Sequence, residues 1–366
     1  MKIAQVAPLY EAVPPKLYGG TERVVAHLTD ALVELGHDVT LFSSADAETR
    51  ARLIPVRDQA IRLDPAPLKS DLAAHLTMLH EVLVRADDFD IIHFHTDMVH
   101  FPLFQRCADR TVTTLHGRLD LKDLAGVYER WPEFGLVSIS DDQRRPLPFA
   151  NWKATVHHGM PGELYRFAPD SKGYLAFLGR ISPEKRPDRA IHIATALNKP
   201  LKMAAKVDAA DKIYWETVIK PMIDANPLVE FIGEIADHQK SAFLGGAEAL
   251  LFPIDWPEPF GLVMIEAMAC GTPVVAFRCG STTEVIDDGH TGYLVDTIEQ
   301  AVAAAGRAHL LDRAAIRARF DLRYSATAMA RRYGDLLAKR PFAEEALPDV
   351  VTRLRPPENR SFAAIA

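Results

Sequence analysis

Two glutamates, Glu258 and Glu266, flank a glycine at which a helix can begin. Gly261 precedes an apolar stretch, so we expect the amides of Leu262 and Val263 to point out of the helix N-terminus. Such amides bind anions, and a diphosphate suits the site. Carboxylates accept hydrogen bonds only, so the two glutamates could hold hydroxyls of a sugar or a ribose. The alternative is that both are ordinary acids of a solvated helix, Glu258 being favourable to its dipole.

A second candidate site follows a predicted strand at 174–178, in the segment Gly179-Arg-Ile-Ser-Pro-Glu-Lys185. Arg180 offers a planar fork for two phosphate oxygens, and Lys185 offers a compact second charge. Together they could neutralise a diphosphate leaving group. Metal-dependent enzymes usually give that task to a divalent cation, so the pair favours chemistry that needs no metal. The alternative is two solvent-exposed charges on a turn.

Two further positions lie next to predicted strands or helices. The segment Tyr18-Gly-Gly-Thr-Glu22 precedes the first predicted helix, so amides near Gly20 could approach phosphates from the opposite wall. It lacks the spacing of a dinucleotide fold or a P-loop, and most such glycine pairs are simply turns. His116 follows a strand at 111–115, where a neutral imidazole could hydrogen-bond a hydroxyl. The structural alternative for His116 is a polar cap on the strand.

Two other clusters resemble metal sites, but we interpret them otherwise. Asp88 and Asp90 form a DxD pattern at the amino end of a buried strand, which is the wrong edge of the sheet for a ligand site. The second cluster comprises His93, His95, Asp97 and His100. Successive strand residues point to opposite faces, so only His93 and His95 share a face. We therefore expect no metal site.

Strands that alternate with helices must position these residues. Short apolar runs predict strands near 3–7, 39–42, 90–95, 111–115, 136–139, 154–156, 174–178, 200–205, 229–232, 248–252, 273–277 and 292–295. Helical spacing predicts helices near 24–35, 188–197, 210–225, 261–270 and 323–339. The pattern predicts an α/β fold of two doubly wound, Rossmann-like parallel-sheet domains. We expect residues 1–165 and 166–322 to form these domains, 323–340 a helix, and 341–366 an irregular tail.

Composition limits the possible partners. The chain of 366 residues is long enough for two domains, and its net charge of −7 argues against a nucleic-acid partner. Residues 1–165 carry 17 Lys/Arg against 23 Asp/Glu, so docking to an anionic membrane is not favoured, although a local patch remains possible. The first residues lack the features of a signal peptide and the three cysteines are scattered, so we expect a cytoplasmic protein.

Together these segments resemble the retaining glycosyltransferases of family 4, which have the two-domain GT-B architecture with a deep cleft. The resemblance covers roughly residues 1–335. It rests on segments in the family's order, namely Gly19-Gly20, Gly179 to Lys185, Glu258 to Glu266 (the family's E-x7-E), Glu266 to Val275, and Glu284 to Val295. One departure is Ala204-Ala-Lys-Val-Asp208, where many members have a Gly-rich turn, so Lys206 either reaches the cleft or is solvated.

The resemblance implies roles for individual residues. Arg180 and Lys185 would bind the donor diphosphate, Glu266 the ribose, and Glu258 the transferred sugar, with His116 beside that sugar. The implied catalytic set is His116, Arg180, Lys185 and Glu258. The implied donor-binding set is Gly20, Arg180, Lys185, Glu258, Phe260, Gly261, Leu262, Val263 and Glu266. The helix at 323–340 would cross back onto the first domain.

The implied reaction transfers a hexose from a nucleotide-diphosphate sugar by front-face substitution, without a metal or other cofactor. Family frequency favours a UDP-sugar such as UDP-glucose, and the acidic first domain favours a small-molecule or saccharide acceptor. A lipid acceptor, a sugar-nucleotide epimerase, a glycoside phosphorylase and a non-catalytic sugar-nucleotide binder remain alternatives, because fold alone does not determine the reaction.

Overall fold

Two parallel β-sheets organise the chain. The computed structural model describes residues 1–16 and 19–339. The first sheet contains β1 (Lys2–Val6), β2 (Asp38–Ser43), β3 (Arg52–Pro55), β4 (Ile91–Phe94), β5 (Thr111–Thr114), β6 (Gly135–Ser138) and β7 (Trp152–Thr155). The second contains β8 (Tyr174–Arg180), β9 (Leu201–Lys206), β10 (Val229–Gly233), β11 (Ala247–Phe252), β12 (Val274–Phe277) and β13 (Gly292–Val295). The predicted tail at 341–366 lies outside the described residues.

Helices connect the strands of both sheets. Those of the first half are α1 (Gly20–Glu34), α2 (Asp71–Leu83), α3 (Phe101–Phe104), α4 (Leu124–Arg130) and α5 (Asp141–Arg144). Those of the second half are α6 (Pro187–Leu197), α7 (Lys212–Tyr214), α8 (Lys220–Asp224), α9 (Asp237–Gly245), α10 (Leu262–Ala269), α11 (Thr282–Val285), α12 (Ile298–Arg307), α13 (Arg313–Arg323) and α14 (Ala326–Leu337). Among the described residues, no helix has the length and apolar character needed to cross a membrane.

The strand order of both sheets defines where a ligand can bind. The first sheet runs β3-β2-β1-β4-β5-β6-β7 and the second β10-β9-β8-β11-β12-β13, and every named pair is parallel. In each sheet the order reverses next to its first strand, between β1 and β4 and between β8 and β11. Such a reversal leaves a crevice at the carboxyl ends of the strands. The predicted α/β fold of two doubly wound domains is therefore confirmed.

Helix α14 joins the two halves. Met160 pairs with Ser325 in a parallel bridge, and the Met160 amide donates to the carbonyl of Tyr324 at 2.9 Å. Beyond this bridge, α14 buries Met329 and Tyr333 in one apolar cluster with α1. We propose domain boundaries at 165/166 and 322/323, with α14 as the returning helix.

Two predicted helices differ in detail from the structure. The segment 210–225 is interrupted by a π-helical turn over Trp215–Ile219, which ends two residues before Pro221. Proline has no amide hydrogen, so a regular α-helix cannot continue undisturbed through it. The helix expected at 323–339 begins only at Ala326, because extended Ser325 caps it, accepting from the Ala328 amide at 3.2 Å.

Candidate active site

A cleft of about 440 Å³ lies between the two sheets, at the carboxyl ends of their central strands. The structure brings every predicted site residue to its wall, namely Gly20, His116, Arg180, Lys185, Glu258, Phe260, Gly261, Leu262, Val263 and Glu266. Gly20 and His116 come from the first half of the chain and the others from the second. The position of these residues is thus observed, whereas their individual roles stay predictions.

The cleft is locally cationic although the protein is acidic. Among the described residues, its lining includes six cationic side chains: Arg23, Arg118, Arg180, Lys185, Lys206 and Lys240. Three carboxylates also line it: Glu234, Glu258 and Glu266. Acids behind the wall pair with several of these cations, but the side chains that face the cleft are mainly cationic and favour an anionic ligand there.

The loop before α10 turns at Gly261. Its φ of +77° lies in the left-handed region, and a Cβ there would come within 2.9 Å of Met264 Cε. The left-handed φ therefore favours glycine, and a Cβ there would also have to displace the end of the Met264 side chain. Helix α10 starts at the next residue, so the amides of Leu262 and Val263 lie at its N-terminus, on the cleft wall.

Glu258 is fixed from several sides. The Trp256 indole donates to its Oε2 at 3.1 Å, and Lys185 Nζ pairs with the same oxygen. Behind the loop, a Cβ on Gly280 would lie 2.4 Å from the Glu258 amide nitrogen, and the Ser281 amide donates to the Glu258 carbonyl at 3.0 Å. The carboxylate is therefore held at one place in the cleft, beside a cation.

Arg180 ends β8 and is surrounded by acids. Its guanidinium lies 3.0 Å from Glu184, 3.5 Å from Asp208 and 3.8 Å from Asp211. Lys206, the register partner of Arg180 on β9, lines the cleft and lies 3.0 Å from Asp208. The hydrogen bond from Lys206 lowers the pKa of Asp208, and Arg180 lowers it further. Lys206 thus reaches the cleft as one member of a charged cluster.

Glu266 is buried on α10, beside a charge network that crosses between the domains. Lys240 Nζ lies 3.0 Å from both Glu266 Oε1 and Asp237 Oδ1. Asp237 in turn pairs with Arg23 of α1. Arg23 and Lys240 line the cleft but were not predicted as site residues. Arg23 lies one helical turn after the Gly19-Gly20 pair, and this closeness could have indicated it as a site residue. Lys240 lies on α9, a helix that the sequence pattern did not predict.

His116 is a half-buried neutral imidazole at the end of β5. Burial lowers its pKa to about 3. Its Nε2 lies 2.8 Å from His95 Nδ1, and its buried Nδ1 has no hydrogen-bond partner among the described residues. His158, which is also absent from the predicted set, lines the cleft and stacks on His116, with the two ring centroids 5.2 Å apart.

The two clusters that resembled metal sites have other contacts. Asp90 accepts from the Lys2 amide at 2.9 Å, at the amino end of β4. His93 and His95 share a face, with ring centroids 4.1 Å apart, and both hydrogen-bond Gln5. His100 stacks on Phe94 at 3.6 Å. Within residues 1–16 and 19–339, no group of three such side chains is arranged to hold a metal ion.

The fold and this cleft define a two-domain α/β enzyme of the GT-B class. Two family models match the chain: the one described as Glycosyltransferase Family 4 matches residues 18–141, and the one described as Glycosyl transferases group 1 matches residues 166–326. The chain belongs to glycosyltransferase family 4, which confirms the predicted family and the prediction that the enzyme is a glycosyltransferase.

Curated relatives carry several names. D-inositol 3-phosphate glycosyltransferase of Stackebrandtia nassauensis is 30% identical over 202 residues, which cover 49% of this chain and 45% of the relative. Glycogen synthase of Mycobacterium tuberculosis is 27% identical over 95% of this chain and 100% of the relative. Phosphatidyl-myo-inositol mannosyltransferase of Mycobacterium leprae is 29% identical over 87% of this chain and 90% of the relative.

Solved structures share the fold. AviGT4, a glycosyltransferase involved in avilamycin A biosynthesis, matches with a TM-score of 0.71 and 23% identity over 92% of this chain and 98% of that chain. Anabaena Alr3699/HepE in complex with UDP and glucose matches with a TM-score of 0.69 and 17% identity over 92% of this chain and 99% of that chain. These similarities place the chain among GT-B structures.

Proposed function

We propose that this enzyme is a retaining glycosyltransferase that transfers a hexose from a nucleotide-diphosphate sugar, preferably a UDP-sugar, to a small-molecule or saccharide acceptor. The observation that carries the proposal is the meeting, in one cationic cleft, of Arg180, Lys185 and the N-terminus of α10. Two side-chain cations and a helix end match the charge of a diphosphate. Glu258 and Glu266 add acceptors for hydroxyls on the same wall.

The proposed chemical step is the front-face substitution that the resemblance to family 4 implies. An acceptor hydroxyl oxygen forms a bond to the anomeric carbon on the face that the diphosphate leaves. The bond between that carbon and the phosphate oxygen breaks, its electron pair stays with the diphosphate, and the leaving phosphate oxygen takes the hydroxyl proton. Arg180, Lys185 and the α10 amides stabilise the developing negative charge. The anomeric configuration is retained, and no separate carboxylate base is needed.

The cations of the cleft support a metal-independent mechanism. Lys185 is held by Glu258 and lies 4.8 Å from the centre of the Trp256 ring, so its charge is fixed before the reaction. A preorganised charge stabilises the departing diphosphate without reorganisation during the step. Transfer should therefore proceed in excess chelator.

The proposed identities of the donor and of the acceptor rest on different observations. The solved Anabaena Alr3699/HepE structure contains UDP and glucose, which supports testing UDP-glucose first. The names of the relatives span an inositol phosphate, a phosphatidylinositol and glycogen, so they do not select one acceptor. The mannosyltransferase relative favours a lipid acceptor as the second candidate, whereas the acidic balance of residues 1–165 favours a soluble one.

A nucleotide-release assay tests the proposal. Thermal shifts with UDP, ADP, GDP and their sugars first identify the donor, since a ligand at 100 times its Kd adds about 2.7 kcal/mol to the free energy of unfolding.

Nucleotide release is then measured with soluble sugars, inositol phosphate and phosphatidylinositol vesicles as acceptors, each with and without EDTA. The anomeric configuration of the product is determined by NMR. Release that requires an acceptor, survives EDTA and gives a retained product is expected. Inversion, abolition by EDTA, or sugar conversion with donor alone would refute it.

A further inference from the structure

Five side chains of the first sheet form a continuous hydrogen-bonded chain that ends at the cleft. Thr114 Oγ1 lies 2.8 Å from His93 Nε2, and His93 Nδ1 lies 3.2 Å from Gln5 Nε2. Gln5 Oε1 lies 2.8 Å from His95 Nε2, and His95 Nδ1 lies 2.8 Å from His116 Nε2. The first four residues are buried, and only His116 lines the cleft.

The amide of Gln5 gives this chain a direction. Its nitrogen can only donate, so His93 Nδ1 must be unprotonated, and its oxygen can only accept, so His95 Nε2 must carry a hydrogen. Burial lowers the pKa of His95 well below its usual range, so that ring is neutral and carries a single hydrogen. His95 Nδ1 is then an acceptor, and the hydrogen between the two rings belongs to His116 Nε2.

The other nitrogen of His116 is thereby left as a lone-pair acceptor. Burial keeps this ring neutral too, so Nδ1 carries no hydrogen. That atom is buried and has no hydrogen-bond partner within residues 1–16 and 19–339. A buried acceptor without a partner is stabilised by a ligand that brings an O–H group, and it disfavours a carboxylate or a carbonyl oxygen.

We propose that Gln5 and His95 are positioning residues that hold His116 in its Nε2-protonated form, so that His116 Nδ1 accepts a hydrogen bond from a hydroxyl of the bound hexose. The proposal rests on the proposed function and specifies how its donor is recognised. It also predicts selectivity, because a sugar that places a carboxylate at this position meets a lone pair and is rejected.

The protonation state of the His116 ring can be measured directly. In the full chain with ¹⁵N-labelled histidine rings, subtraction of the His116→Gln spectrum identifies its signals among the 14 histidines. We expect a protonated Nε2 and a bare Nδ1, and a shift of Nδ1 on adding UDP-glucose but not on adding UDP. A protonated Nδ1, no response to UDP-glucose, or an equal response to UDP would overturn the proposal.

Variants of Gln5 test whether the effect passes through His116. Gln5→Leu should lower kcat/KM for UDP-glucose at least about tenfold, the size expected for one buried hydrogen bond, with unchanged UDP affinity. Gln5→Glu should restore most of the activity, because burial favours the neutral carboxyl, whose O–H donates to His93 Nδ1 and whose carbonyl oxygen accepts from His95 Nε2. Thr114→Val is the matched control, since it breaks the chain on the far side of Gln5. A loss with Thr114→Val as large as with Gln5→Leu, or no rescue by Gln5→Glu, would contradict the assignment.

The ring spectrum separates this proposal from the proposed function. It needs no turnover, so it decides the protonation state of His116 even where Gln5→Leu fails to fold. If Nδ1 is unprotonated but responds to no sugar nucleotide, and the protein transfers no hexose, both the proposed function and the proposed ligand of His116 are refuted. If the protein transfers a hexose but Nδ1 is protonated, only the roles assigned to Gln5 and His95 are refuted.

Discussion

At the scale of single residues, the cations of the cleft are distinguished by their partners. Lys185 pairs with one carboxylate, Glu258, which also lies on the cleft wall. Arg180 lies within 4 Å of three carboxylates, on Glu184, Asp208 and Asp211. Removal of either cation leaves nearby acids without compensation, so a bound diphosphate would meet repulsion as well as a lost attraction.

Replacing either cation should therefore slow the chemical step. We expect Arg180→Ala and Lys185→Ala each to lower kcat by roughly 10²- to 10³-fold, the usual cost of losing one preorganised group that stabilises charge. Initial rates of nucleotide release at saturating acceptor measure the effect. Lys220→Ala, which removes a half-exposed lysine paired with Asp224 on α8, is the control. Unchanged donor kinetics in both cleft variants would refute their assignment.

At the scale of elements, the start of α10 depends on one backbone conformation. Gly261→Ala should destabilise the protein by about 1–2 kcal/mol through its left-handed φ, and by about 1–3 kcal/mol more because its Cβ meets Met264 and Phe252. Gly289 has φ +76° with nothing within 4 Å of its Cβ, so Gly289→Ala measures the backbone cost alone. Urea unfolding measures the stability of the two variants, and titration with UDP measures their affinity for the nucleotide. Equal losses in Gly261→Ala and Gly289→Ala would show that the start of α10 tolerates a side chain at Gly261.

Elements with a strong local signal were predictable from sequence, and those set by tertiary contacts were not. Helix α1 ends at Glu34, next to the predicted end at 35, and Gly36 just beyond it adopts φ +85°, as is common after helices. Helix α9 has weak amphipathic character and few buried residues, so periodicity did not reveal it or its Lys240. The pairing of Arg23 with Asp237 joins residues 214 positions apart, and nothing in the local sequence of either indicates the other.

The same distinction applies to the cleft. Glycines and charges that follow strands could be placed at its wall, because parallel strands end at one edge of a sheet. The buried hydrogen-bonded chain through Gln5, His93 and His95 could not be predicted, because the register between β1 and β4 brings Gln5 next to His93. His93 and His95 therefore looked like a metal cluster, whereas their ring nitrogens contact an amide and neighbouring side chains.

At the scale of the whole molecule, contacts beside the cleft join the two domains. Ser140 Oγ donates to the carbonyl of Pro259 at 2.7 Å. Glu284 of α11 accepts from the amides of Asp141 and Asp142 at 2.7 and 2.8 Å, and it lies 3.1 Å from His157 Nε2. The carboxylate thus caps α5 of the other domain, where a negative charge is favoured by the helix N-terminus.

This capping contact should make the stability of the protein depend on pH in the acid range. Burial raises the pKa of Glu284, but hydrogen bonds from His157 and the two amides outweigh it, so the net shift is downward from 4.5. A carboxyl whose pKa is lower in the folded state stabilises the native state above its unfolded pKa. This stabilisation is lost as the pH falls through the folded pKa.

Urea unfolding of the wild type and of Glu284→Gln tests this dependence. The difference between their free energies of unfolding should be constant above about pH 5.5 and should shrink below about pH 4.5. Glu216→Gln, on an exposed residue, should show no such gap. A gap between wild type and Glu284→Gln that persists unchanged at pH 3.5 would mean that the charge of Glu284 does not join the domains.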